Sequence, residues 1–141
     1  MYYFIYFIIK TLSYIPFWML YAISDIMYYP LYYVIRYRRE IVRKNLTESF
    51  PEKSLSEIIT IEKKFYRFFM DMLLESSKIA SISPDEIRKR MKFVNIDKTN
   101  KLLDERKSLA FVMGHFCNWE WMTSIGLWIK DDVVCAQVYH K

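Results

Sequence analysis

The sequence predicts an α/β protein made of N-terminal hydrophobic membrane helices, an amphipathic helix and an incomplete parallel β-α-β-α-β unit. Three observations support this: an apolar first quarter, a long apolar period of helical spacing after it, and alternating strand and helix patterns toward the end. A chain of 141 residues can form one domain of ordinary size. We therefore predict a membrane-anchoring hydrophobic segment, residues 1–35, followed by the N-terminal part of a second domain, residues 36–141.

Residues 1–35 are almost entirely apolar or aromatic, and only Lys10 and Asp25 are charged. As one helix they would extend about 50 Å, more than the roughly 30 Å of bilayer hydrocarbon, which excludes a single perpendicular span. Pro16 and Pro30 predict breaks or kinks. Tyrosine is abundant here and prefers the headgroup level of a membrane. Two interpretations stay open: a helical pair lying partly in the interface, or a span whose polar face packs on the rest of the protein.

A basic stretch follows the apolar segment directly. Five positive side chains and the carboxylate of Glu40 give it a net charge of +4. Positive charge just past an apolar segment marks the cytoplasmic side of a membrane and attracts anionic headgroups. Lipid headgroups or an acidic carrier protein are therefore the expected partners, and nucleic acid is not. The residues predicted to face headgroups are Arg36, Arg38, Arg39, Arg43 and Lys44.

Two helices with clear start signals follow the basic stretch. Pro51 ends the basic helix, because proline disfavours helix at the residue before it. Ser54 and Glu57 form a capping box that begins a long amphipathic helix, which continues to about residue 80 and is typical of a core-facing scaffold. Ser83 precedes a proline and two acidic residues, a pattern that predicts the start of a short basic helix.

From residue 93 onward the pattern alternates between strand and helix. The pattern predicts strands at residues 93–96, 108–113 and 133–138. It predicts the helices between them at residues 99–107 and 118–129. This alternation predicts a parallel sheet with right-handed crossovers. Functional residues of such sheets lie outside the carboxyl ends of the strands. The loop that follows residue 113 is therefore the predicted site.

This loop carries an imidazole and, five positions later, a carboxylate. His115 follows the second predicted strand, and Glu120 lies in the first turn of the next helix if Asn118 caps that helix. From there Glu120 can hold one imidazole nitrogen, leaving the other free to accept a proton from a substrate hydroxyl. The helix start can also stabilise negative charge on an acyl carbonyl. His115 and Glu120 are the predicted catalytic residues, and Gly114 and Asn118 are candidates for substrate binding.

Two cysteines, Cys117 and Cys135, without a cleavable leader pattern predict reduced thiols in a cytosol-facing protein rather than a disulfide scaffold. Cys117 also raises a rival mechanism, in which it forms an acyl-thioester with help from His115 and Glu120. A small buried thiol is the more common state of cysteine. A metal site built from these residues and His140 is not expected, because paired ligand spacing of the zinc type is missing.

The order of these features resembles a known family. Gly114-His115 followed by Asn118-Trp119-Glu120 is similar to the His-x-x-x-x-acid motif of the lysophospholipid acyltransferase superfamily, and specifically of its bacterial lipid A biosynthesis (lauroyl/myristoyl) acyltransferase branch. Four further features support the resemblance: the hydrophobic N-terminal segment, the basic stretch leading into Asn45-Leu46, the Phe50-Pro51 pair, and Glu75 in the following helix.

The resemblance implies an enzyme of the bacterial plasma (inner) membrane, with its catalytic portion on the cytoplasmic face. It would move a fatty acyl group from acyl carrier protein onto a hydroxyl of a lipid A precursor, in lipopolysaccharide synthesis. His115 would be the general base and Glu120 its orienting partner, with no metal or organic cofactor. Cys117 departs from the pattern, because relatives commonly carry glycine there. We expect the chain to cover about the N-terminal half of such an enzyme, so it can carry the base yet be inactive alone.

Two alternatives stay open. The acceptor can be another glycolipid, a lysophospholipid, an ornithine lipid or a pigment hydroxyl. The chain can instead be a noncatalytic, membrane-tethered interaction module in which His115 and Glu120 are merely structural. Replacement of His115 separates the two classes: it removes acyl transfer from an enzyme, but changes only stability or partner binding in a noncatalytic module.

Overall fold

The computed structural model describes residues 2–129 and 132–136. The chain divides into two compact units, Met1–Ser81 and Ile82–Lys141. All regular secondary structure in the described ranges is helical, and they contain no strand. The predicted α/β fold with a parallel sheet is therefore wrong.

The apolar N-terminal segment forms two short helices and a π-helix. Helix α1 spans Tyr2–Tyr14, helix α2 spans Phe17–Tyr29, and the π-helix spans Pro30–Ile35. Pro16 separates α1 from α2, because proline inside a helix lacks the backbone N–H that the helix needs and its ring clashes with the preceding turn. Each α-helix is therefore only about 20 Å long. Among residues 2–129 and 132–136, no helix has the length and apolar character needed to cross a membrane. The prediction of hydrophobic membrane helices is wrong for this reason.

Helices α3 and α4 complete the scaffold of the first unit. Helix α3 spans Arg39–Ser49 and α4 spans Leu55–Ser77, and a single 3-10 turn, Lys78–Ala80, follows α4. The predicted capping box is confirmed: the Ser54 hydroxyl accepts from the backbone N–H of Glu57, and the Glu57 carboxylate accepts from the backbone N–H of Ser54. The predicted amphipathic helix to about residue 80 is confirmed as well.

The core of the first unit lies where α4 packs against α2, the π-helix and α3. Helix α4 buries every fourth residue from position 58 to 74, which places one continuous stripe against its neighbours. The central cluster contains three tyrosines and a methionine, namely Tyr28, Tyr32, Tyr66 and Met70. Residues 1–35 are therefore packed into the same compact unit as the basic stretch and α4.

Two lysines join the beginning and the end of the first unit. The Lys78 ammonium is buried and donates to the carbonyls of Ser13 and Ile15, at 2.7 and 2.8 Å. These carbonyls lie at the C-terminal end of α1, where a positive charge is favoured by the helix dipole. In the opposite direction, Lys10 on α1 donates to the carbonyl of Ala80 at 2.8 Å.

The second unit is built from short helices and extended loops. Helix α5 spans Pro84–Arg90 and begins at Ser83, as predicted. Helix α6 spans Ile96–Asp104, and a 3-10 helix spans Trp119–Leu127, within the range predicted as the second crossover helix. The carbonyls of Leu127 and Trp128 accept from Arg88 and Asn100, which ties the end of the 3-10 helix to α5 and α6.

The three predicted strands do not form in the described residues. Residues 93–96 run into α6, residues 108–113 have no regular secondary structure, and residues 133–136 likewise form no strand. Residues 137 and 138 of the third predicted strand lie outside the described residues. A strand satisfies its backbone N–H and C=O groups only through a neighbouring strand. The alternating apolar pattern is present, but the pairing it requires is not.

Candidate active site

The loop that carries the predicted site turns twice before the 3-10 helix begins. The backbone N–H of Phe116 donates to the carbonyl of Gly114 at 2.9 Å, which bends the chain around His115. Cys117 then adopts a left-handed backbone conformation with φ of 52°. These bends leave the His115 side chain exposed.

The His115 ring packs against an indole rather than a carboxylate. Its centroid lies 4.4 Å from that of Trp119, in an edge-to-face arrangement. Glu120 lies one residue further on, in the first turn of the 3-10 helix, and is half-buried. Across the described residues, no hydrogen bond or ion pair joins His115 to Glu120. The structure thus brings His115 to Trp119, and the pairing of His115 with Glu120 stays a prediction.

The two candidate substrate-binding residues differ in what surrounds them. A Cβ atom added at Gly114 would meet no atom within 4 Å, so the space beside this glycine is open. Asn118 is the residue before the 3-10 helix, but its side chain forms no capping hydrogen bond. The backbone carbonyl of Asn118 accepts from the N–H of Trp121 at 3.2 Å and so begins the helix. Both assignments stay predictions.

The cysteine next to this loop has an exposed thiol. Cys117 and Cys135 are both free and exposed. Within residues 2–129 and 132–136, no three His, Cys, Asp or Glu side chains come close enough together to hold a metal ion. His140 lies outside the described residues.

The predicted headgroup-facing residues separate into two groups. Arg43 forms a bidentate pair with Glu62: its Nε and Nη2 donate to the two carboxylate oxygens at 2.7 and 2.9 Å. Arg39 Nε lies 3.6 Å from the same carboxylate. Arg36 and Arg38 are exposed on the turn before α3. Lys44 is exposed and lies 3.8 Å from Glu48.

Glu62 is completely buried and accepts hydrogen bonds from two side chains, Arg43 and Tyr32. In addition to the bidentate pair with Arg43, the Tyr32 hydroxyl donates to Oε1 of Glu62 at 2.8 Å. Burial and then this hydrogen bond raise the pKa of Tyr32 to about 12. The bond to Glu62 raises the pKa of the Arg43 guanidinium. A buried carboxylate is tolerated only when paired and hydrogen-bonded, and this one connects α4 to α3 and to the π-helix.

Sequence reasoning missed Glu62, although a signal was present. It occupies one position of the every-fourth stripe that is otherwise Ile58, Tyr66, Met70 and Leu74. An acidic residue on an apolar stripe, with arginines on the preceding helix, predicts a buried ion pair. Glu75, which supported the family resemblance, accepts from the Tyr21 hydroxyl at 2.6 Å and so links α4 to α2.

A shallow depression of about 490 Å³ lies along α3. Its lining alternates in charge: Arg39, Arg43 and Lys44 are interspersed with Glu40 and Glu48. Because Glu62 already neutralises part of the arginine charge, the depression has no strong preference for an anion.

The sequence model of the family described as bacterial lipid A biosynthesis acyltransferase matches residues 1–131. The chain belongs to this family. No curated protein and no solved structure matched it.

Membership of the lipid A biosynthesis acyltransferase family confirms the resemblance drawn from the sequence. The matched range includes the basic stretch, the buried Glu62 and the loop with His115 and Glu120. Family membership supports acyltransferase activity in general.

Proposed function

We propose that this chain acts in the transfer of a fatty acyl group from acyl carrier protein to a hydroxyl of a lipid A precursor, at the cytoplasmic face of the bacterial plasma membrane. The observation that carries this proposal is the family match over residues 1–131. The exposed imidazole of His115, on a loop that begins with an open space at Gly114, supports it.

In the proposed reaction His115 accepts the proton of the acceptor hydroxyl, and the hydroxyl oxygen attacks the acyl carbonyl of the thioester. The tetrahedral intermediate collapses with cleavage of the carbon–sulfur bond, and the imidazolium returns the proton to the departing thiolate. Glu120 would orient the imidazole and stabilise its charged form. Catalytic hydrogen bonds often shorten only when substrate is bound, so their absence in the free chain is compatible with this role.

Contact with the membrane surface is the second part of the proposal. Helices α1 and α2 expose large apolar and aromatic side chains, among them Phe4, Phe7, Trp18 and Ile26. Contiguous exposed apolar patches mark interaction sites, and tyrosine and tryptophan prefer the level of the headgroups. An acceptor that is itself a lipid would be reached most directly from this position.

A direct assay tests the reaction. The natural gene product, including any residues encoded beyond Lys141, is incubated with an acyl carrier protein thioester and a lipid A precursor, and the lipid product is identified by mass spectrometry. We expect the precursor to gain one acyl chain. A lysophospholipid offered in parallel serves as the control acceptor. Acylation of that control alone would contradict the proposed acceptor while keeping the acyltransferase chemistry.

A noncatalytic interaction module is the second candidate function. It is favoured by one observation, the absence of a hydrogen bond between His115 and Glu120 in the described part of the chain. This candidate predicts no acyl transfer to any acceptor, from any thioester donor. One acylated product in the assay above would eliminate it.

A further inference from the structure

The turn between the π-helix and α3 has an unusual backbone. Arg36 and Arg38 both adopt the left-handed conformation, with φ of 53° and 49°. Non-glycine residues rarely adopt it, because the side chain then crowds the backbone. Both arginines are exposed. Two strained residues separated by a single residue require the surrounding structure to hold them in place.

Tyr37, between the two arginines, supplies that support. Its backbone carbonyl accepts a hydrogen bond from the hydroxyl of Tyr66, whose side chain belongs to the core. Its N–H donates to the carbonyl of Leu31 at 3.3 Å. Its ring stacks on Phe69, with 6.3 Å between the centroids. The centre of the turn is therefore fixed to the core, while its two flanking residues point away from it.

The charges of Arg36 and Arg38 are not neutralised within the part of the chain that the structure describes, because neither forms an ion pair there. Arg36 donates only a long bond, 3.5 Å, to the carbonyl of Tyr33. The Arg38 guanidinium lies 5.8 Å from the centre of the Tyr37 ring. Arg39 and Arg43 are instead committed to the buried Glu62.

Exposed apolar side chains precede this turn. Tyr33, Val34 and Ile35 are all exposed at the end of the π-helix. Apolar side chains beside unpaired guanidinium groups match the boundary between acyl chains and phosphates at a membrane surface. Guanidinium binds phosphate through paired, charge-assisted hydrogen bonds.

We propose that Arg36 and Arg38 bind the phosphate groups of anionic phospholipids at the membrane surface, whereas Arg39 and Arg43 do not contact lipid. This inference rests on the proposed membrane location. A phosphate that captured Arg43 would leave the carboxylate of Glu62 buried without its partner, which is strongly unfavourable. Of the five basic residues predicted to face headgroups, the structure thus assigns the lipid contact to the two on the strained turn.

Vesicle binding tests the assignment. The protein is sedimented with phosphatidylcholine vesicles, with and without phosphatidylglycerol, and the partition coefficients are compared. The double variant Arg36→Asn/Arg38→Asn removes two charges while asparagine favours the left-handed backbone. We expect it to bind anionic vesicles about 30-fold more weakly, the combined effect of two basic residues near an anionic surface. Its thermal unfolding should match that of the natural sequence.

Two further variants serve as controls. Lys98→Gln/Lys101→Gln removes the same charge from exposed positions on α6, and Arg36→Lys/Arg38→Lys keeps the charge on the turn. The α6 variant should bind anionic vesicles within about threefold of the natural sequence, because its charges lie away from the proposed contact. The lysine-for-arginine variant should bind more tightly than the asparagine variant, because it keeps the charge at the contact, but less tightly than the natural sequence, because lysine lacks the paired donors of guanidinium.

Three outcomes would overturn the assignment. The first is that the asparagine double variant binds anionic vesicles as well as the natural sequence does. The second is that the Lys98→Gln/Lys101→Gln variant loses as much binding, which would show an effect of net charge alone. The third is that the asparagine double variant keeps vesicle binding but has a higher KM for the acyl carrier protein, which would assign the arginines to a protein partner. A protein that binds vesicles through these arginines but transfers no acyl group would refute the proposed reaction and leave this assignment standing.

Discussion

The two compact units differ most in how their apolar side chains are used. The first unit buries a cluster of tyrosines, leucine, isoleucine and methionine around a fully paired carboxylate. Among the described residues of the second unit, Trp121 is the one apolar side chain that is buried, and Val112 is 95% exposed. The comparison shows that helices can complete a core from their own neighbours, whereas apolar segments without pairing partners remain exposed.

The same contrast separates the two proposed tasks. The residues proposed to contact lipid lie in the first unit, on a turn fixed to a buried core. The residues proposed for chemistry lie in the second unit, on an exposed loop. The variants below test whether attachment and chemistry are independent, in order of decreasing expected effect.

The largest effect is expected from His115→Ala. Loss of a general base lowers the rate of acyl transfer by roughly 100- to 10,000-fold, while vesicle binding should be unchanged. Acyl transfer from the acyl carrier protein thioester is measured for the variant and for an active preparation of the natural sequence, and the two rates are compared. Thermal unfolding of the variant provides the control for folding. Near-normal transfer would remove His115 from the mechanism.

Glu62→Gln should be the most damaging change to the first unit. It leaves the Arg43 guanidinium without its carboxylate, and removal of one partner from a buried pair typically costs about 3–5 kcal/mol. Because Arg43 is a third exposed, water offsets part of this, and we expect the free energy of unfolding to fall by about 2–3 kcal/mol. Urea unfolding measures it. Glu48→Gln, whose ion pair with Lys44 is exposed, is the matched control and should change stability by less than about 0.5 kcal/mol. Equal effects would contradict the stabilising role of the buried Arg43–Glu62 pair.

High pH should weaken the first unit through Tyr32. Its pKa is raised to about 12 in the folded protein, whereas an unfolded tyrosine titrates near pH 10. The unfolded chain therefore loses this proton first, so the stabilisation is complete below about pH 10 and is lost as pH rises toward about 12, by about 2 kcal/mol. Tyr32→Phe should flatten this part of the stability profile, measured by urea unfolding across that interval. An unchanged slope would mean that Tyr32 titrates normally.

Cys117→Gly should have the smallest effect, on the second unit. Glycine adopts the left-handed conformation of this position without steric cost, so we expect stability to change by less than about 1 kcal/mol. Acyl transfer should remain within about twofold, because the thiol takes no part in the proposed reaction. Abolition of transfer would instead support an acyl-thioester on Cys117.

The sequence was informative where local chemistry decides the structure. Ser54 and Ser83 begin their helices as expected, since a hydroxyl satisfies free N–H groups within a few residues. Pro16 divides the apolar segment for an equally local reason. The strand prediction failed because period-two apolar patterns specify a face but not a pairing partner. Glu62 was missed because its partners lie 19 and 30 residues away.

For the candidate site, the sequence identified the loop but not its contacts. The exposure of His115 is in keeping with a loop position, whereas its packing on Trp119 depends on the left-handed residue Cys117, which no pattern marks. The division of the basic stretch could not be predicted either, since it depends on which arginines reach Glu62.

The exchange of lysine contacts between α1 and the end of α4 has a consequence for synthesis on the ribosome. The final carbonyls of α1 accept from the Lys78 ammonium, and Lys10 donates to the carbonyl of Ala80. The emerging chain therefore carries the apolar helix α1 through the translation of some sixty-five further residues before those bonds can form. During that interval the end of α1 lacks the contacts that hold it to the end of α4, so α1 can reach its final position only after α4 has been synthesised.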